Sequence, residues 1–301
     1  MMSVRTKSWS AMSRPRAQSA TILGKHVDGQ PVSAQPEPTP AFRWRGAAVL
    51  VAAALYTLLF AVRAPPFPSL YVSLPLKVLP ALLLSSFASM PGVIPHGALA
   101  GSPISQHKLY VARGLVLSAA GDLLLDLCEL PALKDVAFLV GLVAFLSAHI
   151  LYAIGFYWTT SKAVNALVAV ACVLPCTLVT SLLAPHILGS PEHAPLFGPV
   201  CVYVCVITCM WYFSLVRDSN GSSSGTRAYY MTVAGATLFV LSDVALAFDK
   251  FAPPPRDDSG NVRWWFSQPK VVVMVTYYAA QCLIASGAWA STEGRPKGKK
   301  A

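Results

Sequence analysis

The chain has 301 residues, of which 55% are hydrophobic and only 12% are charged, and its formal net charge is +10 at pH 7. Soluble domains contain about 25% charged residues, so this composition excludes an ordinary water-soluble globular protein. The positive charge is concentrated at the two ends and in short connectors that flank apolar stretches, which is typical of membrane proteins. We therefore expect no nucleic-acid partner.

Residues 1–42 lack apolar periodicity and are predicted to be a disordered basic tail in the cytosol. The first acidic residue is Asp28, and this acid-poor start with Arg and Ser is also typical of an organellar transit peptide. Residues 43–291 are predicted to form a membrane domain, and residues 292–301 form a second basic cytosolic tail.

Eight apolar stretches predict an all-α, polytopic transmembrane helix bundle of about eight spans. Each has roughly the 17–23 residues that a helix needs to cross a hydrocarbon core of about 30 Å. The basic residues of the connectors place both termini in the cytosol, and we expect the endoplasmic reticulum membrane, with an organellar membrane as the alternative. The predicted spans are approximately 46–62, 70–89, 109–127, 136–158, 162–184, 196–216, 228–248 and 270–290.

The third and seventh spans can be aligned on Asp122 and Asp243, and the fourth and eighth spans then follow the same order. This pattern raises the hypothesis of two four-span halves in parallel orientation, related by an axis along the membrane normal. The matched positions include Gly114 with Gly235, Leu117 with Leu238, Leu125 with Leu246, His149 with Gln281, and Gly155 with Gly287.

Polar side chains interrupt several predicted spans, although a charged residue at a helix centre costs about 2.5–3.5 kcal/mol. Asp122 and Asp243 each lie about six residues before the end of an odd-numbered span, roughly 9 Å below the same membrane face. The other polar residues at comparable or neighbouring depth are Lys77, Asp126, His149, Tyr277, Tyr278 and Gln281. We therefore expect one intramembrane pocket around the two aspartates.

The local sequence around these residues also indicates a pocket. Pro75 and Pro80 flank Lys77, so the second span is expected to be distorted. Gly121 and Ser242 immediately precede the two aspartates and leave room for a neighbouring helix or a ligand.

Each polar residue also has a purely structural interpretation. Lys77 could neutralise one aspartate in an ion pair, and His149 could be a hydrogen-bonded packing residue. Tyr277 and Tyr278 could belong to an aromatic belt at the membrane surface. Asp126 lies near the interface, as does Asp249, for which we expect contact with water.

Two buried carboxylates that share one proton can serve as an acid and an ionised partner. Such a pair suits acid-catalysed hydrolysis through an oxocarbenium-like state, peptide cleavage by an activated water, or proton-coupled transport, and the residues alone do not choose among these. The Gly-x-Gly-Asp motif of aspartyl intramembrane proteases is absent, because the sequence before Asp122 is Ala119-Ala120-Gly121. Neither C-x-x-C nor H-E-x-x-H occurs, so no metal site is expected.

Five short segments follow one another in order on five of the predicted spans. They are Leu76-Lys77, Gly121-Asp122, Phe145-Leu-Ser-Ala-His149-Ile-Leu-Tyr152, Leu238-Phe-Val-Leu-Ser242-Asp243 and Tyr277-Tyr278-Ala-Ala-Gln281. Together these segments resemble the lysoplasmalogenase (YhhN) family of eight-span membrane proteins. The likeness covers about residues 70–290 and leaves out the basic amino-terminal tail.

The resemblance implies hydrolysis of the vinyl ether bond of a lysoplasmalogen within the bilayer, giving a fatty aldehyde and glycerophosphocholine or glycerophosphoethanolamine, with no cofactor. In this hypothesis Asp122 is the general acid and Asp243 is the ionised partner. Lys77 keeps that partner charged or contacts the phosphate. The supporting residues are Asp126, His149, Ser242, Tyr277, Tyr278 and Gln281. The rival hypothesis is a proton-coupled transporter or lipid-binding membrane protein that uses the same carboxylates.

Overall fold

The computed structural model of the chain describes residues 70–88, 102–128, 130, 133–160, 164–218, 223–253 and 269–291. The predicted first span, 46–62, and the two predicted tails, 1–42 and 292–301, lie outside the described residues. All the described helices belong to one compact unit, Pro40–Ala301.

The described residues form seven α-helices and one short 3-10 turn, Ala194–Leu196. This confirms the all-α class, and the only strand-like pairing in the described part of the chain is an isolated bridge between Thr160 and Arg217. The helices are α1 Leu70–Ala88, α2 Pro103–Leu127, α3 Lys134–Tyr157, α4 Ala166–Leu188, α5 Phe197–Leu215, α6 Ser223–Phe251 and α7 Pro269–Ala290.

Five of the described helices, α3 to α7, are long and apolar enough to cross a membrane. Helix α1 has 19 residues, and its part Lys77–Ser86 counts as a shorter apolar helix. Helix α2 has sufficient length, 25 residues, but it contains four charged side chains, Lys108, Arg113, Asp122 and Asp126. A polytopic membrane bundle is therefore confirmed, whereas the number of eight spans stays a prediction.

Local sequence explains where several helices begin. Ser102 caps α2, because its hydroxyl accepts a hydrogen bond from the Ser105 backbone N–H at 3.3 Å, and Asn165 caps α4 in the same way. Pro75 and Pro80 lie inside α1 without ending it, so the expected distortion does not divide this helix into two.

The distribution of side chains is the reverse of that in a soluble bundle. Polar residues such as Lys77, Asp122 and His149 are almost fully buried, whereas Leu174 and Val202 on the outside are more than half exposed. In a membrane this arrangement places apolar side chains against lipid and polar groups against one another. Helices α2 and α3 form one closely packed pair and α6 and α7 form another, with α1 against α2 and α7, and α5 between α3, α4 and α6.

The two closely packed pairs use the same glycine contact. A Cβ atom on Gly155 of α3 would lie 3.3 Å from the His107 carbonyl oxygen of α2, and one on Gly287 of α7 would lie 3.1 Å from the Ala228 carbonyl oxygen of α6. The alignment that places Asp122 on Asp243 also places His107 on Ala228. This agreement supports the hypothesis of two related halves.

Gly235 of α6 provides a test of how closely the second pair must pack. Its Cβ would lie 2.9 Å from both the Ala280 carbonyl oxygen and the Ile284 backbone nitrogen of α7, and neither backbone atom can move independently. We expect Gly235→Ala to lower the free energy of unfolding by about 1–3 kcal/mol, measured by thermal unfolding in detergent. Gly198→Ala is the matched control, because no atom lies within 4 Å of the added carbon. Equal melting temperatures for the two variants would contradict the close contact.

Candidate active site

A cavity of about 150 Å³ lies among α2 to α7, and its walls are largely apolar. Helices α4 and α5 contribute residues such as Leu183, Val200 and Val204, which suit a hydrocarbon chain. The polar and charged residues on the wall are Asp122, Thr180, Tyr203, Ser242, Asp243, Lys250 and Tyr277. The structure therefore brings the two predicted aspartates to one cavity.

Asp122 is positioned by a hydrogen bond from α7. Asp122 is only 1% exposed, and its Oδ2 accepts a hydrogen bond of 2.6 Å from the Tyr277 hydroxyl. The preceding Gly121 has no side chain, so the Phe145 ring of α3 packs directly against it. Phe145 in turn meets the Tyr277 ring edge-on, with centroids 6.0 Å apart, which fixes the orientation of the donor.

Asp243 is held by two side chains from two other helices. Its Oδ2 accepts a hydrogen bond of 2.7 Å from the Tyr203 hydroxyl of α5, and His149 Nε2 of α3 lies 3.2 Å from the same oxygen. His149 Nε2 is also 2.9 Å from the Tyr203 oxygen, whose proton is already donated to Asp243. Both neighbours of Nε2 are then acceptors, and we assign a proton to this nitrogen from the geometry of the contacts.

The two carboxylates connect the two helix pairs. Asp122 belongs to α2 and binds α7, while Asp243 belongs to α6 and binds α3. Each aspartate therefore takes a hydrogen-bond donor from the opposite pair. At the depth predicted from the sequence, hydrogen bonds to the two aspartates thus connect the two helix pairs.

Lys77 does not contact Asp243, and this part of the sequence-based hypothesis is wrong. Its Nζ lies 2.6 Å from Asp126 Oδ1, and both side chains are less than a tenth exposed. Because α1 packs against α2 and α7, Lys77 reaches the carboxylate one turn beyond Asp122. Asp126 is consequently buried rather than at a wet interface, whereas Asp249 is exposed as expected.

The polar groups of most remaining predicted residues form hydrogen bonds with other protein groups near the cavity. Ser242 lies on the cavity, but its hydroxyl donates to the Val273 carbonyl oxygen at 3.2 Å. Gln281 Oε1 accepts a hydrogen bond of 2.7 Å from the Tyr152 hydroxyl. The Tyr278 hydroxyl donates to the Lys77 carbonyl oxygen at 3.3 Å. Tyr277 and Tyr278 are 4% and 5% exposed, so neither belongs to an aromatic belt at the surface.

Tyr203 and Lys250 line the cavity but were not predicted from the sequence as site residues. Tyr203 lies between Cys201 and Cys205 on α5, and the structure shows all seven cysteines of the chain as free. The signal that could have identified Tyr203 is depth, since it lies six residues after the start of α5, near the end of the bundle where α6 finishes. No three His, Cys, Asp or Glu side chains of the described ranges are grouped as a metal site would require.

The family model and the individual proteins that match this chain indicate the same family. The model of the YhhN family matches residues 72–288. Human lysoplasmalogenase TMEM86B is 31% identical over 214 residues, covering 68% of this chain and 76% of the human protein. Bovine lysoplasmalogenase TMEM86A is 29% identical over 224 residues, covering 74% of this chain and 80% of the bovine protein. No solved structure matches the chain significantly.

The buried ion pair predicts a specific pattern of stability. Lys77→Met leaves Asp126 buried without its counter-charge, and we expect the free energy of unfolding to fall by about 3–5 kcal/mol. The double variant Lys77→Met/Asp126→Leu removes both charges and should recover most of that loss. Thermal unfolding of the purified proteins in detergent measures both. A double variant as unstable as the single one would show that the two charges are not coupled.

Proposed function

This chain belongs to the YhhN family, and we propose that it is a lysoplasmalogenase-like membrane hydrolase. Its substrate would be a lysoplasmalogen in the bilayer, and its products a fatty aldehyde and glycerophosphocholine or glycerophosphoethanolamine. The proposal is supported by relatives named lysoplasmalogenase that are about 30% identical over most of the chain. The membrane we propose is that of the endoplasmic reticulum, with both termini in the cytosol.

The observation that carries the proposal is the placement of two carboxyl groups at one apolar cavity. Asp122 and Asp243 come from different helices, and each accepts a hydrogen bond from a tyrosine hydroxyl, Tyr277 and Tyr203 respectively. A lysoplasmalogen has the matching composition, with a long apolar chain joined to a polar glycerol through an acid-labile vinyl ether. The apolar walls would hold the chain and leave the ether beside the carboxyl groups.

The surroundings of the two aspartates support different roles. Asp243 has two donors, Tyr203 and His149, and its side chain is 17% exposed, so a negative charge is stabilised there. Asp122 has one donor and is 1% exposed, and a charge at this position has fewer groups to stabilise it. We therefore assign Asp122 as the proton donor and Asp243 as the ionised partner.

The reaction then follows the logic of paired carboxylates in glycoside hydrolysis. Asp122 transfers its proton to the β-carbon of the vinyl ether, and the electron pair of the double bond forms the new C–H bond. The resulting oxocarbenium ion is stabilised by the Asp243 carboxylate. Water attacks the α-carbon and loses a proton to Asp243, which gives a hemiacetal. Asp243 then transfers this proton to the glycerol oxygen as the C–O bond breaks, and Asp122 takes the proton of the hemiacetal hydroxyl. The aldehyde and the glycerophospho-alcohol are released, and both carboxyl groups return to their starting states.

The surrounding residues act as positioning residues in this scheme. Tyr277 and Tyr203 hold the two carboxyl groups, and His149 holds Asp243 together with Tyr203. The ion pair of Lys77 with Asp126 lies behind Asp122 and fixes α1 against α2. Because its charge is already matched by Asp126, Lys77 is not available to keep Asp243 ionised.

The two aspartates provide the central test of the proposal. We expect Asp122→Asn and Asp243→Asn each to lower kcat by about 10²–10⁴-fold, because each removes a proton-transfer group or the charge that stabilises the cation. Aldehyde release from an alkenyl lysophospholipid by purified protein in detergent measures this. Asp249→Asn is the matched control, since it removes an exposed carboxylate from the same helix.

The same assay separates the proposal from its rivals. Detergent solution has no second compartment, so aldehyde release there requires hydrolysis and not transport. Full activity in both Asp→Asn variants would overturn the site assignment. Hydrolysis of ester lysolipids but not of alkenyl lipids by the unmodified protein would overturn the proposed bond.

Tyr203 provides a second test. We expect Tyr203→Phe to lower kcat by roughly 10–100-fold with little change in melting temperature, because Asp243 loses a hydrogen bond to its charged oxygen. Tyr230→Phe, at a residue that is 64% exposed, removes a hydroxyl away from the cavity and serves as the control. Equal activity of the two variants would show that Tyr203 does not support Asp243 during the reaction.

A further inference from the structure

We propose that Lys250 forms a phosphate-binding subsite at the outer end of the cavity and selects alkenyl lipids that carry a phosphate on the glycerol. The inference rests on the proposed function, because it assigns how the substrate of that reaction is oriented. The structure supports it through the position of Lys250, its charge environment and the covalent layout of the substrate.

Lys250 shares the cavity wall with the proposed catalytic pair. It follows Asp243 by seven residues on α6, which is about 10 Å along the helix and two turns, so both side chains lie on one face. It also lies one residue before the end of α6 at Phe251, where a transmembrane helix reaches the headgroup region. The cavity therefore has carboxyl groups at depth and a cation at its outer end.

Among the described residues, none forms an ion pair that neutralises the charge of Lys250. Its Nζ lies 4.7 Å from the centre of the Phe138 ring of α3, a cation–π contact that positions the ammonium group at the wall. Among the described residues Lys250 forms no ion pair, and it is the only cationic residue on the described wall. Asp249 is its chain neighbour, but adjacent helical residues do not face each other.

The substrate has its groups in the same order as the cavity. In a lysoplasmalogen the vinyl ether and the phosphate occupy the two end carbons of one glycerol, so placing the ether at Asp122 and Asp243 leaves the phosphate a short distance away. The phosphate must point toward water, because the apolar walls of α4 and α5 accept only the alkenyl chain. On α6 that direction leads to Lys250, whose flexible stem can reach inward.

A cation at this position also resolves a charge conflict. The phosphate carries a negative charge and would approach the ionised Asp243 in a region of low dielectric constant, where like charges repel strongly. Lys77 cannot compensate, since Asp126 already neutralises it. The Lys250 ammonium group at the outer end compensates the charge of the phosphate and stabilises the bound headgroup without taking part in proton transfer.

The experiment compares two alkenyl substrates, one with a phosphate-containing headgroup and one without a headgroup. Purified full-length protein and Lys250→Met are assayed in detergent with 1-alkenyl-glycerophosphoethanolamine and with 1-alkenylglycerol. We expect Lys250→Met to raise KM for the phosphate-bearing lipid about tenfold and to leave KM for 1-alkenylglycerol unchanged. Lys250→Arg should restore most of the difference. Lys270→Met removes a charge from the exposed start of α7 and should affect neither substrate.

Two results would overturn the inference. Equal KM values for Lys250→Met and the unmodified protein on the phosphate-bearing lipid would show no phosphate contact. Equal losses on both substrates would show a lysine that only packs its stem and extends to the interface.

A binding measurement separates failure of the subsite from failure of the proposed function. The stable ethers 1-alkyl-glycerophosphocholine and 1-alkylglycerol are compared as ligands by the rise they cause in melting temperature. We expect Lys250→Met to reduce the rise from the phosphate-bearing ether only. If no alkenyl lipid is hydrolysed but this difference appears, the hydrolase proposal is wrong and the subsite stands. If hydrolysis occurs and the difference is absent, the subsite is wrong and the hydrolase proposal stands.

Discussion

Two carboxyl groups that lie inside a membrane bundle must each be given hydrogen-bond donors, and this requirement determines how the helices are arranged. A hydrogen-bond donor on the same helix as the carboxyl group would not connect that helix to another. Here Asp122 accepts a hydrogen bond from α7, and Asp243 accepts hydrogen bonds from α3 and α5. The polar contacts therefore bind the pair α2–α3 to the pair α6–α7. Stability of the bundle and assembly of the candidate site depend on the same few bonds.

The Lys77–Asp126 ion pair and the two aspartates of the cavity have different surroundings. Lys77 and Asp126 cancel each other behind the cavity, in a contact that is structural and buried. Among the described residues, Asp122 and Asp243 face the cavity with tyrosine hydroxyl partners, and the His149 imidazole is a further partner of Asp243. A carboxyl group that no fixed cation neutralises can exchange a proton with a ligand, which is the property that acid-catalysed ether cleavage requires.

The apolar part of the cavity explains why the carboxyl groups are placed at depth. Helix α4 packs chiefly against α5 and exposes most of its surface, yet it contributes Cys176, Leu183 and Ile187 to the cavity wall. A hydrocarbon chain can therefore lie between this peripheral helix and the rest of the bundle. In the proposed complex, the carboxyl groups lie beside the reactive bond at the head of such a chain, and Lys250 lies beside the phosphate.

The sequence by itself determined the membrane class and the helical fold, and it singled out the two aspartates that line one cavity, because hydropathy and the cost of burying a charge act locally on each span. Depth along a helix also follows from the sequence, since the rise per residue is constant. Which side chains meet across helices was decided only by the tertiary structure. Lys77 forms an ion pair with Asp126 because α1 packs on α2 and α7. Tyr203 donates a hydrogen bond to Asp243 because α5 lies beside α6. The rotation of each helix about its own axis and the helices that it contacts are set by packing of the whole bundle. The sequence of a single span does not determine them.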